Sequence, residues 1–552
     1  MNWQKNLILA AIGVVVWLLV VRWSAFDAQF ESLAVADQPS QIPVEQLYNE
    51  SPTSGSTLPV LVNDQYQAAT LLVNNQQNVT ITTDVIKVTI DTLGGDVVEA
   101  KLLQHLNKMA NEGGQPISIL TRSNGNEFIA ESGLIGVNGT DTAAGRPVFS
   151  TAANSYELTD GQQTLEVDFV YKQAGVEIIK RFEFKASQYQ VGIRYIVRNL
   201  SLEPWSATFF AQFRRDSHQP ETEFSAGMKP FLGAAIREQD KNYSKFDFSD
   251  IDDETIKTSL QGGWLAFVQH YFVTAWVPPQ DEKNRFSLRK LKGNDLYLMA
   301  VTGEKINVLP GQSGEYKVDL YVGPKNQDVL KELSEYLDLT IDYGFLWMLA
   351  KPIFAALQII QGFLGNWGWS IILLTIFIKI LLYPLSAASL KSMAKMRTLQ
   401  PQMARIKELY GDDRQKAGQE QMALFKKHKV NPLGGCLPML LQMPVFIALY
   451  WVLSESVEIR HSPWIIWIQD LSAKDPLFIL PLIMGASMFL MQKLQPAPTD
   501  PMQAKIFQLM PIVFTFFFLM FPAGLVLYWT VNNLLSILQQ WYVNRQIAAA
   551  AK

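Results

Sequence analysis

Residues 366–384, NWGWSIILLTIFIKILLYP, are apolar except for a few small polar groups and one charged residue, Lys379. About 20 consecutive apolar residues are enough to cross the hydrocarbon core of a bilayer, and tryptophans at the start of such a run are typical of the membrane interface. The stretch therefore predicts a membrane-spanning helix, assigned to residues 366–385. This helix carries an ammonium group well inside it.

The predicted helix has a polar stripe. Thr375, Lys379 and Tyr383 recur at intervals of four residues, so on one continuous helix they share a face. One interpretation is structural, because a lysine can extend its four-carbon stem and place its charge among the lipid headgroups. The functional interpretation is favoured, because charges within a membrane span usually mark a site of function.

No acidic residue is available within the predicted spans to neutralise this lysine. Between residues 343 and 552 all of the acids lie in polar segments that connect apolar stretches: Glu408, Asp412, Asp413, Glu420, Glu455, Glu458, Asp470, Asp475 and Asp500. Removing an unpaired ammonium from water is energetically costly. We therefore expect Lys379 to face a hydrated cavity that is open to a guest.

Charge is unevenly distributed along the 552 residues, whose net charge is −4. Residues 343–552 hold 18 Lys and Arg against 9 Asp and Glu, whereas residues 23–342 hold 27 against 42. This pattern predicts an acidic soluble domain joined to a basic membrane part, and it lacks the strongly basic domain of a nucleic-acid-binding protein. The single Cys436 excludes a disulfide within the chain.

The N-terminal residues 1–23 are predicted to form a transmembrane anchor. An unbroken apolar run at residues 7–21 follows Lys5 and ends at Arg22, without the small residues of a good cleavage site. An uncleaved span is therefore favoured over a signal peptide. Residues 24–60 are rich in Pro, Ser and Gln and are predicted to form a flexible linker.

Residues 61–342 are predicted to form a large antiparallel β-sandwich with a closing helix at residues 328–339. Alternating apolar and polar residues recur in segments such as VTITTDVIKVTIDT, TLEVDFVYK and VEIIKRFEFK, and glycine-containing turns such as LGGD separate them. The positive-inside rule, applied to the basic segment that follows, predicts that this domain is extracytoplasmic.

No catalytic or metal-binding motif is recognisable in this domain. His105, His218 and His270 are far apart in the sequence, and His105 is expected at the surface. The acidic run at residues 247–253 lacks the glycine and terminal glutamate of an EF-hand, so it is interpreted as a solvated loop.

The remaining segments complete the predicted fold, a mixed one: a six-span α-helical membrane protein with a large extracytoplasmic antiparallel β-sandwich domain and a cytoplasmic helical hairpin. Apart from the Lys379 span, the segments are an interfacial amphipathic helix at 343–365, the basic hairpin at 386–435, spans three to six within 436–545, and a short cytoplasmic tail at 546–552.

Polar residues are few in the last four spans, and most of them are expected to hold helices together. Together with the Lys379 stripe they are candidates to line the cavity. The groove-lining candidates are Gln442, Tyr383, Asn532 and Asn533.

Several of these segments together resemble the YidC/Oxa family of membrane protein insertases, in its Gram-negative form. They include NWGWSIILLTIFIKILLYPLS, KSMAKMRTLQPQM, NPLGGCLPMLLQMPVFIALYWVL, DPLFILPLIMGASMFLMQK and FPAGLVLYWTVNNLLSILQQ. The match is strongest over residues 343–545, and the N-terminal anchor and sandwich extend it over nearly the whole chain.

The resemblance implies a hydrophilic groove among the last five spans, open to the cytoplasm and to lipid. Relatives usually carry arginine where this chain has Lys379, so the charge is kept but the forked geometry of a guanidinium is lost. Thr375, Tyr528 and Trp529 match positions implicated in contact with the incoming segment, and many relatives have tyrosine at the last of these. Gln442 matches a groove-lining position.

The same resemblance implies an insertase and chaperone of the bacterial inner membrane, with both termini cytoplasmic and the sandwich periplasmic. The implied partners are nascent membrane proteins, the Sec translocon, membrane lipids and, through the hairpin, the ribosome and the signal recognition particle or its receptor. No cofactor and no nucleic-acid readout are implied.

Two other classes of function fit these residues less well. A secondary transporter for a small anion would use Lys379 as its ligand, but the paired inverted repeats and broken helices typical of such proteins are not recognisable. An enzyme acting on membrane substrates would need a nucleophile with its base, or a set of metal ligands, and neither is recognisable.

Overall fold

The computed structural model describes residues 77–123, 125–220, 230–410, 413–428, 430, 437–494 and 501–550. These residues belong to one compact unit, Pro59–Lys552. The predicted anchor (1–23), the linker (24–60) and Cys436 lie outside the described residues.

Eighteen described strands form two sheets of a β-sandwich, as the alternating pattern predicted. One sheet has the order β13-β16-β17-β10-β5-β4-β3-β2-β1-β6 and the other the order β12-β11-β14-β15-β18-β9-β8-β7. The strands are β1 (Asn78–Thr82), β2 (Ile86–Asp91), β3 (Asp96–Leu106), β4 (Pro116–Ser123), β5 (Asn126–Ile135), β6 (Ser155–Glu157), β7 (Thr164–Gln173), β8 (Val176–Lys185), β9 (Gln190–Asn199), β10 (Trp205–Arg215), β11 (Gly233–Ile236), β12 (Ser244–Phe246), β13 (Ile256–Gln261), β14 (Leu265–Val268), β15 (Phe272–Val277), β16 (Lys283–Lys290), β17 (Tyr297–Val308) and β18 (Ser313–Pro324).

The strand pair β7–β8 shows why alternation predicted the fold. Val167 and Phe169 point into the core between the sheets and are buried. On the opposite face Asp168 accepts hydrogen bonds from Arg181 at 2.7 and 2.9 Å. One face is thus apolar and the other carries cross-strand ion pairs, which is the arrangement of a half-exposed antiparallel sheet.

Three strands, β11, β14 and β15, are buried on both faces, and this is why their sequences GAAI, LAFV and FVTAWV show no alternation. Leu265 and Phe267 belong to the core between the two sheets. Ala266 and Val268 belong to a second cluster that also contains Leu330 and buried residues of the C-terminal helices. The outer face of the sheet is therefore covered by the rest of the chain.

A buried group of charges links the two sheets. Lys180 is fully buried on β8 and donates hydrogen bonds to Gly94 O at 3.0 Å and Ser132 O at 3.1 Å. Arg146 bonds to Asp96 and, at 2.7 Å, to Asp141. Burial lowers the pKa of Lys180 to about 7. These bonds hold the predicted Gly94 turn against a strand of each sheet.

The described helices are α1 (Phe248–Asp253), α2 (Gln327–Leu333), α3 (Trp347–Leu364), α4 (Trp367–Leu381), α5 (Tyr383–Thr398), α6 (Gln400–Leu409), α7 (Arg414–Lys427), α8 (Leu437–Glu455), α9 (Ile479–Lys493), α10 (Pro501–Phe518) and α11 (Ala523–Ala550). The predicted closing helix at 328–339 is wrong in length, because α2 ends at Leu333 and the chain then passes through Tyr336, whose φ is 67°. A separate 3₁₀ turn, Leu337–Thr340, follows.

The predicted single helix over residues 366–385 is also wrong, because it bends at Leu382. Its start is as expected, since the Asn366 side chain caps α4 by accepting from Trp369 N at 3.1 Å. At the other end Pro384 lies in the first turn of α5, and α4 and α5 meet at 66°. Proline cannot continue the hydrogen-bond ladder of a helix. Tyr383 therefore belongs to α5 and does not share a helix face with Lys379.

The helices expected for the hairpin are present in the described residues, and its cytoplasmic position stays a prediction. The predicted bend near Pro401 occurs at Leu399, between α5 and α6, and α7 begins after Asp413, whose side chain accepts from Lys416 N at 3.0 Å. Most basic side chains of this segment are exposed, as are Leu409 and Met422.

The six-span count is not confirmed. Among the described residues one helix, Gly344–Leu364, has the length and apolar composition to cross a membrane, and α4 with α5 would count as a second, bent candidate. Three further apolar helices are shorter: Leu441–Glu455, Ile479–Lys493 and Ala504–Phe518. The helix at Gly344–Leu364 is the one predicted to lie at the interface, and its position relative to a bilayer stays a prediction.

The sandwich is attached to the C-terminal helices by buried polar contacts. Lys325, just after β18, lies 3.1 Å from Glu455 at the end of α8, and their side chains are only 2% and 7% exposed. His270 Nε2 donates to Ser454 O at 2.8 Å. Arg460 donates to Leu106 O at 2.6 Å. These contacts, beside the shared apolar cluster, make α8 the helix on which the sandwich rests.

We expect removal of one partner of the buried Lys325–Glu455 pair to destabilise the protein more than removal of both. Glu455→Met should lower the free energy of unfolding by about 3–5 kcal/mol because it leaves Lys325 buried without a counter-ion. The double variant Lys325→Met/Glu455→Met should recover most of this loss, because no buried charge remains. Chemical unfolding of the purified protein in detergent measures both changes.

Lys172→Met is the matched control, because Lys172 pairs with Glu177 at 2.8 Å but is 71% exposed. Its cost should stay below about 1 kcal/mol. A double variant no more stable than Glu455→Met would show that the pair itself, rather than relief of an unpaired charge, determines stability.

Burial, with Lys325 nearby, lowers the pKa of His270 from 6.5 to about 4. The unfolded chain then binds more protons between these two values, so the stability contributed by the neutral ring is present above pH 6.5 and is lost as the pH falls towards 4. His270→Gln keeps a donor for Ser454 O and should flatten this loss. Thermal unfolding followed at several pH values in this window tests it.

His270→Gln should remove only part of the pH dependence of stability, because burial lowers the pKa of His105 to about 4 as well. If His270→Gln unfolds with the same pH dependence as the unsubstituted protein, the ring does not control stability in this range.

Candidate functional site around Lys379

Helix α11 is the centre of the C-terminal bundle. It packs against α4, α5, α8 and α9. Its first seven residues, AGLVLYW, include the buried Leu525, Val526 and Leu527. Polar side chains on this helix are therefore presented to other helices more than to lipid.

Lys379 points towards α11. Its Nζ donates a hydrogen bond of 2.8 Å to Ser536 Oγ, and the side chain is half-buried. In the part of the chain that the structure describes, it forms no ion pair with a carboxylate. The lysine is thus turned towards a neighbouring helix and away from the exposed apolar flank formed by Phe377, Ile380 and Leu381. This orientation does not favour the headgroup interpretation.

Thr375 lies one turn before Lys379 on α4 and is 1% exposed. Its hydroxyl donates to Ile371 O in its own helix at 2.6 Å. Such a bond satisfies the hydroxyl within the helix and leaves its oxygen able to accept a further bond.

Tyr528 joins α11 to α8. Its hydroxyl accepts a hydrogen bond from Gln442 Nε2, and the tyrosine is 1% exposed. The neighbouring Trp529 packs edge-on against Phe446 with 4.5 Å between ring centroids. Its indole Nε1 is buried and finds no hydrogen-bond partner among the described residues. The two predicted contact residues therefore lie between α8, α10 and α11.

The two asparagines of α11 have different surroundings. Asn533 donates to Ser487 Oγ at 3.0 Å and so ties α11 to α9. Asn532 is 8% exposed, and its Oδ1 is buried without a hydrogen-bond partner in the described chain. Burying an unsatisfied amide oxygen is energetically costly.

One residue of the site was missed by the sequence analysis. Tyr528, Asn532 and Ser536 follow each other at intervals of four, so they form a polar stripe on α11, the counterpart of Thr375 and Lys379 on α4. Ser536 donates to Asn532 O at 2.7 Å. The spacing is visible in the sequence, but a serine in a helix commonly bonds to its own backbone, so the residue type alone does not indicate a contact with another helix.

Tyr383, the remaining predicted residue, lies beyond the bend on α5 and is 40% exposed. The structure thus brings Lys379 to Ser536, joins Gln442 to Tyr528 and Asn533 to Ser487, and leaves Tyr383 beyond the bend.

Outside the bundle, no group of three or more His, Cys, Asp or Glu side chains suited to a metal ion occurs among the described residues. Asp247 and Asp250 cap helix α1 reciprocally, and Asp252 pairs with Lys290 at 2.9 Å. The acidic run is therefore a helix start rather than an open loop. The prediction that His105 is a surface residue is wrong, because its ring packs half-buried against Tyr189 and Phe272.

Comparison with known families gives two matches that together cover most of the chain. The model of the "YidC periplasmic domain" matches residues 78–356, and that of the "60Kd inner membrane protein" matches residues 359–550.

Full-length relatives are also similar. A "Membrane protein insertase YidC" from Cellvibrio japonicus (strain Ueda107) is 50% identical over 553 residues, covering 100% of this chain and 99% of the relative. The one from Stutzerimonas stutzeri (strain A1501) is 48% identical over 560 residues and 100% of both chains.

A solved structure described as "Active YidC insertase crystal structure with the first transmembrane domain resolved" overlaps with a TM-score of 0.38 at 18% identity, over 84% of this chain and 92% of that chain. This overlap is too low to bear on the fold. The two family models in chain order and the identity to relatives over their whole length show that the chain belongs to the YidC family.

Proposed function

We propose that this chain inserts nascent proteins into the bacterial inner membrane and assists their folding, using the polar group around Lys379 as the entry site. The single observation that carries the proposal is the inward-facing ammonium of Lys379, which is bonded to a neutral hydroxyl and forms no ion pair with a described carboxylate. Such a group keeps its positive charge available to a guest. The relatives are named insertases, which supports the function and the prediction that the chain is not an enzyme.

Membership of the family makes this an inner-membrane protein with a periplasmic sandwich. The finer topology is proposed: six spans, both termini cytoplasmic, the hairpin α5–α7 in the cytoplasm, and the segment Gly344–Leu364 at the periplasmic interface. The exposed basic side chains of the hairpin support its cytoplasmic side, since Lys and Arg are enriched in cytoplasmic segments.

The proposed mechanism is electrostatic and involves no covalent step. A polar or acidic residue costs about 2.5–3.5 kcal/mol at the centre of a bilayer, and an ammonium in a hydrated recess between α4 and α11 would lower that cost. The short helix α9, Ile479–Lys493, supports a locally thinned bilayer, which would lower that cost further. Burial of the guest's apolar segment, at about 25 cal/mol per Å², would drive its release into lipid.

The other predicted positions take part in this proposal as contacts for the guest. Thr375, Tyr528 and Trp529 would meet the incoming segment, while Gln442, Tyr383, Asn532 and Asn533 would line its path. The buried Oδ1 of Asn532 and Nε1 of Trp529 support this, because each still lacks a partner among the described residues.

Partners beyond the nascent chain are also proposed. The hairpin exposes the apolar Leu409 and Met422 among basic residues, a combination suited to a nascent chain, the ribosome, or the signal recognition particle and its receptor. Cooperation with the Sec translocon is proposed from the family resemblance alone.

Charge reversal at Lys379 tests the electrostatic mechanism. In proteoliposomes, Lys379→Glu should reduce insertion of a client with an acidic translocated tail by about tenfold or more, because attraction becomes repulsion, and should affect a matched neutral-tail client much less. Insertion is measured as protease protection of the translocated tail.

Lys379→Arg is the matched control, because it keeps the charge and should stay within about threefold of the unsubstituted protein for both clients. Equal insertion of the two clients by Lys379→Glu would refute the role of the charge. Failure of the unsubstituted protein to insert either client would refute the function itself.

A further inference from the structure

We infer that Ser536 is a positioning residue for insertion: its hydroxyl holds the ammonium of Lys379 on the inner side of α4 while leaving its charge unneutralised. The inference rests on the proposed function and adds to it the group that decides where the charge is presented. Two observations support the inference: Lys379 on α4 donates to Ser536 on α11, and the Ser536 hydroxyl donates to the carbonyl of Asn532.

The hydroxyl of Ser536 has a defined polarity. It donates its one proton to Asn532 O at 2.7 Å, so only its oxygen lone pairs face Lys379, which donates to it at 2.8 Å. An ammonium has three N–H groups, and this bond uses one of them. No other hydrogen bond of Lys379 occurs among the described residues, so the other two N–H groups can bind water or a carboxylate of the guest.

A neutral acceptor has a different consequence from an acidic one. A carboxylate at position 536 would form an ion pair with Lys379 and cancel most of its field. A serine accepts a charge-assisted hydrogen bond without contributing charge. The pair therefore orients the ammonium and preserves its electrostatic attraction for an acidic segment.

The position of Lys379 explains why it needs to be held. It lies in the last turn of α4, three residues before the bend at Leu382, and its neighbours Ile380 and Leu381 are each 67% exposed. A lysine near a helix end can snorkel towards the membrane surface. Ser536 favours the conformation that faces α11 over that alternative.

The test uses the full-length protein in proteoliposomes with two clients that differ only in the acidic residues of the translocated tail. Ser536→Ala should lower insertion of the acidic client about threefold, as expected for one hydrogen bond between helices, and leave the neutral client unchanged. Ser536→Thr keeps the hydroxyl and should restore the acidic client.

Ser370→Ala is the matched control on α4. Ser370 also donates to the carbonyl four residues earlier, Asn366 O at 2.8 Å, but forms no bond to another helix among the described residues. It should leave insertion of both clients unchanged.

A second readout reports on Lys379 itself. Its labelling by a water-soluble amine reagent, quantified by mass spectrometry, should increase in Ser536→Ala, because the released side chain reaches the membrane surface more often, and should return to the original level in Ser536→Thr.

The inference is overturned if Ser536→Ala impairs both clients equally, if threonine fails to restore the acidic client, or if neither insertion nor labelling changes. Each of these results leaves the proposed function intact, because that function is judged by insertion of both clients by the unsubstituted protein.

Discussion

An ammonium group that lies between helices has to keep its hydrogen bonds, and this constraint shapes the C-terminal half of the chain. Lys379 finds its described partner on α11, and that helix contacts four others. A carboxylate at position 536 would have formed a stable ion pair with Lys379, but that pair would have no net charge. The hydroxyl of Ser536 is a weaker partner than a carboxylate and leaves Lys379 without a described counter-ion, and in the proposed mechanism that charge attracts the guest.

The sandwich meets the same requirement with different chemistry. Where it rests on α8, Lys325 is paired directly with Glu455 and both are almost completely buried. Within the sandwich, Lys180 is bonded to two carbonyl oxygens between the sheets. Lys325 is thus paired with a carboxylate and Lys180 lies near that of Asp96, whereas the described partner of Lys379 is a neutral serine.

The sequence predicted those features whose patterns are local. Alternation identified strands such as β7 and β8, and the apolar run ending at Pro384 identified α4. The sequences of strands β11, β14 and β15 do not alternate between apolar and polar residues, because the C-terminal helices cover the outer face of these strands. This cover is a tertiary contact, so a local pattern could not predict it. The bend at Leu382 separates Tyr383 from the polar stripe that contains Lys379. Pro384 is the sequence feature that could have predicted this bend. The partnership of Lys379 with Ser536 joins residues far apart in the chain, and spacing alone could indicate only that each lies on a polar face.

Helix α8 connects the two ends of this molecule. Glu455 lies in its last turn, and Gln442, thirteen residues earlier, is about 20 Å away along the axis. Glu455 binds the sandwich through Lys325, and Gln442 donates to Tyr528, the first residue of the polar stripe of α11. The sandwich and the Gln442–Tyr528 contact therefore share helix α8, although the sandwich carries none of the predicted groove residues.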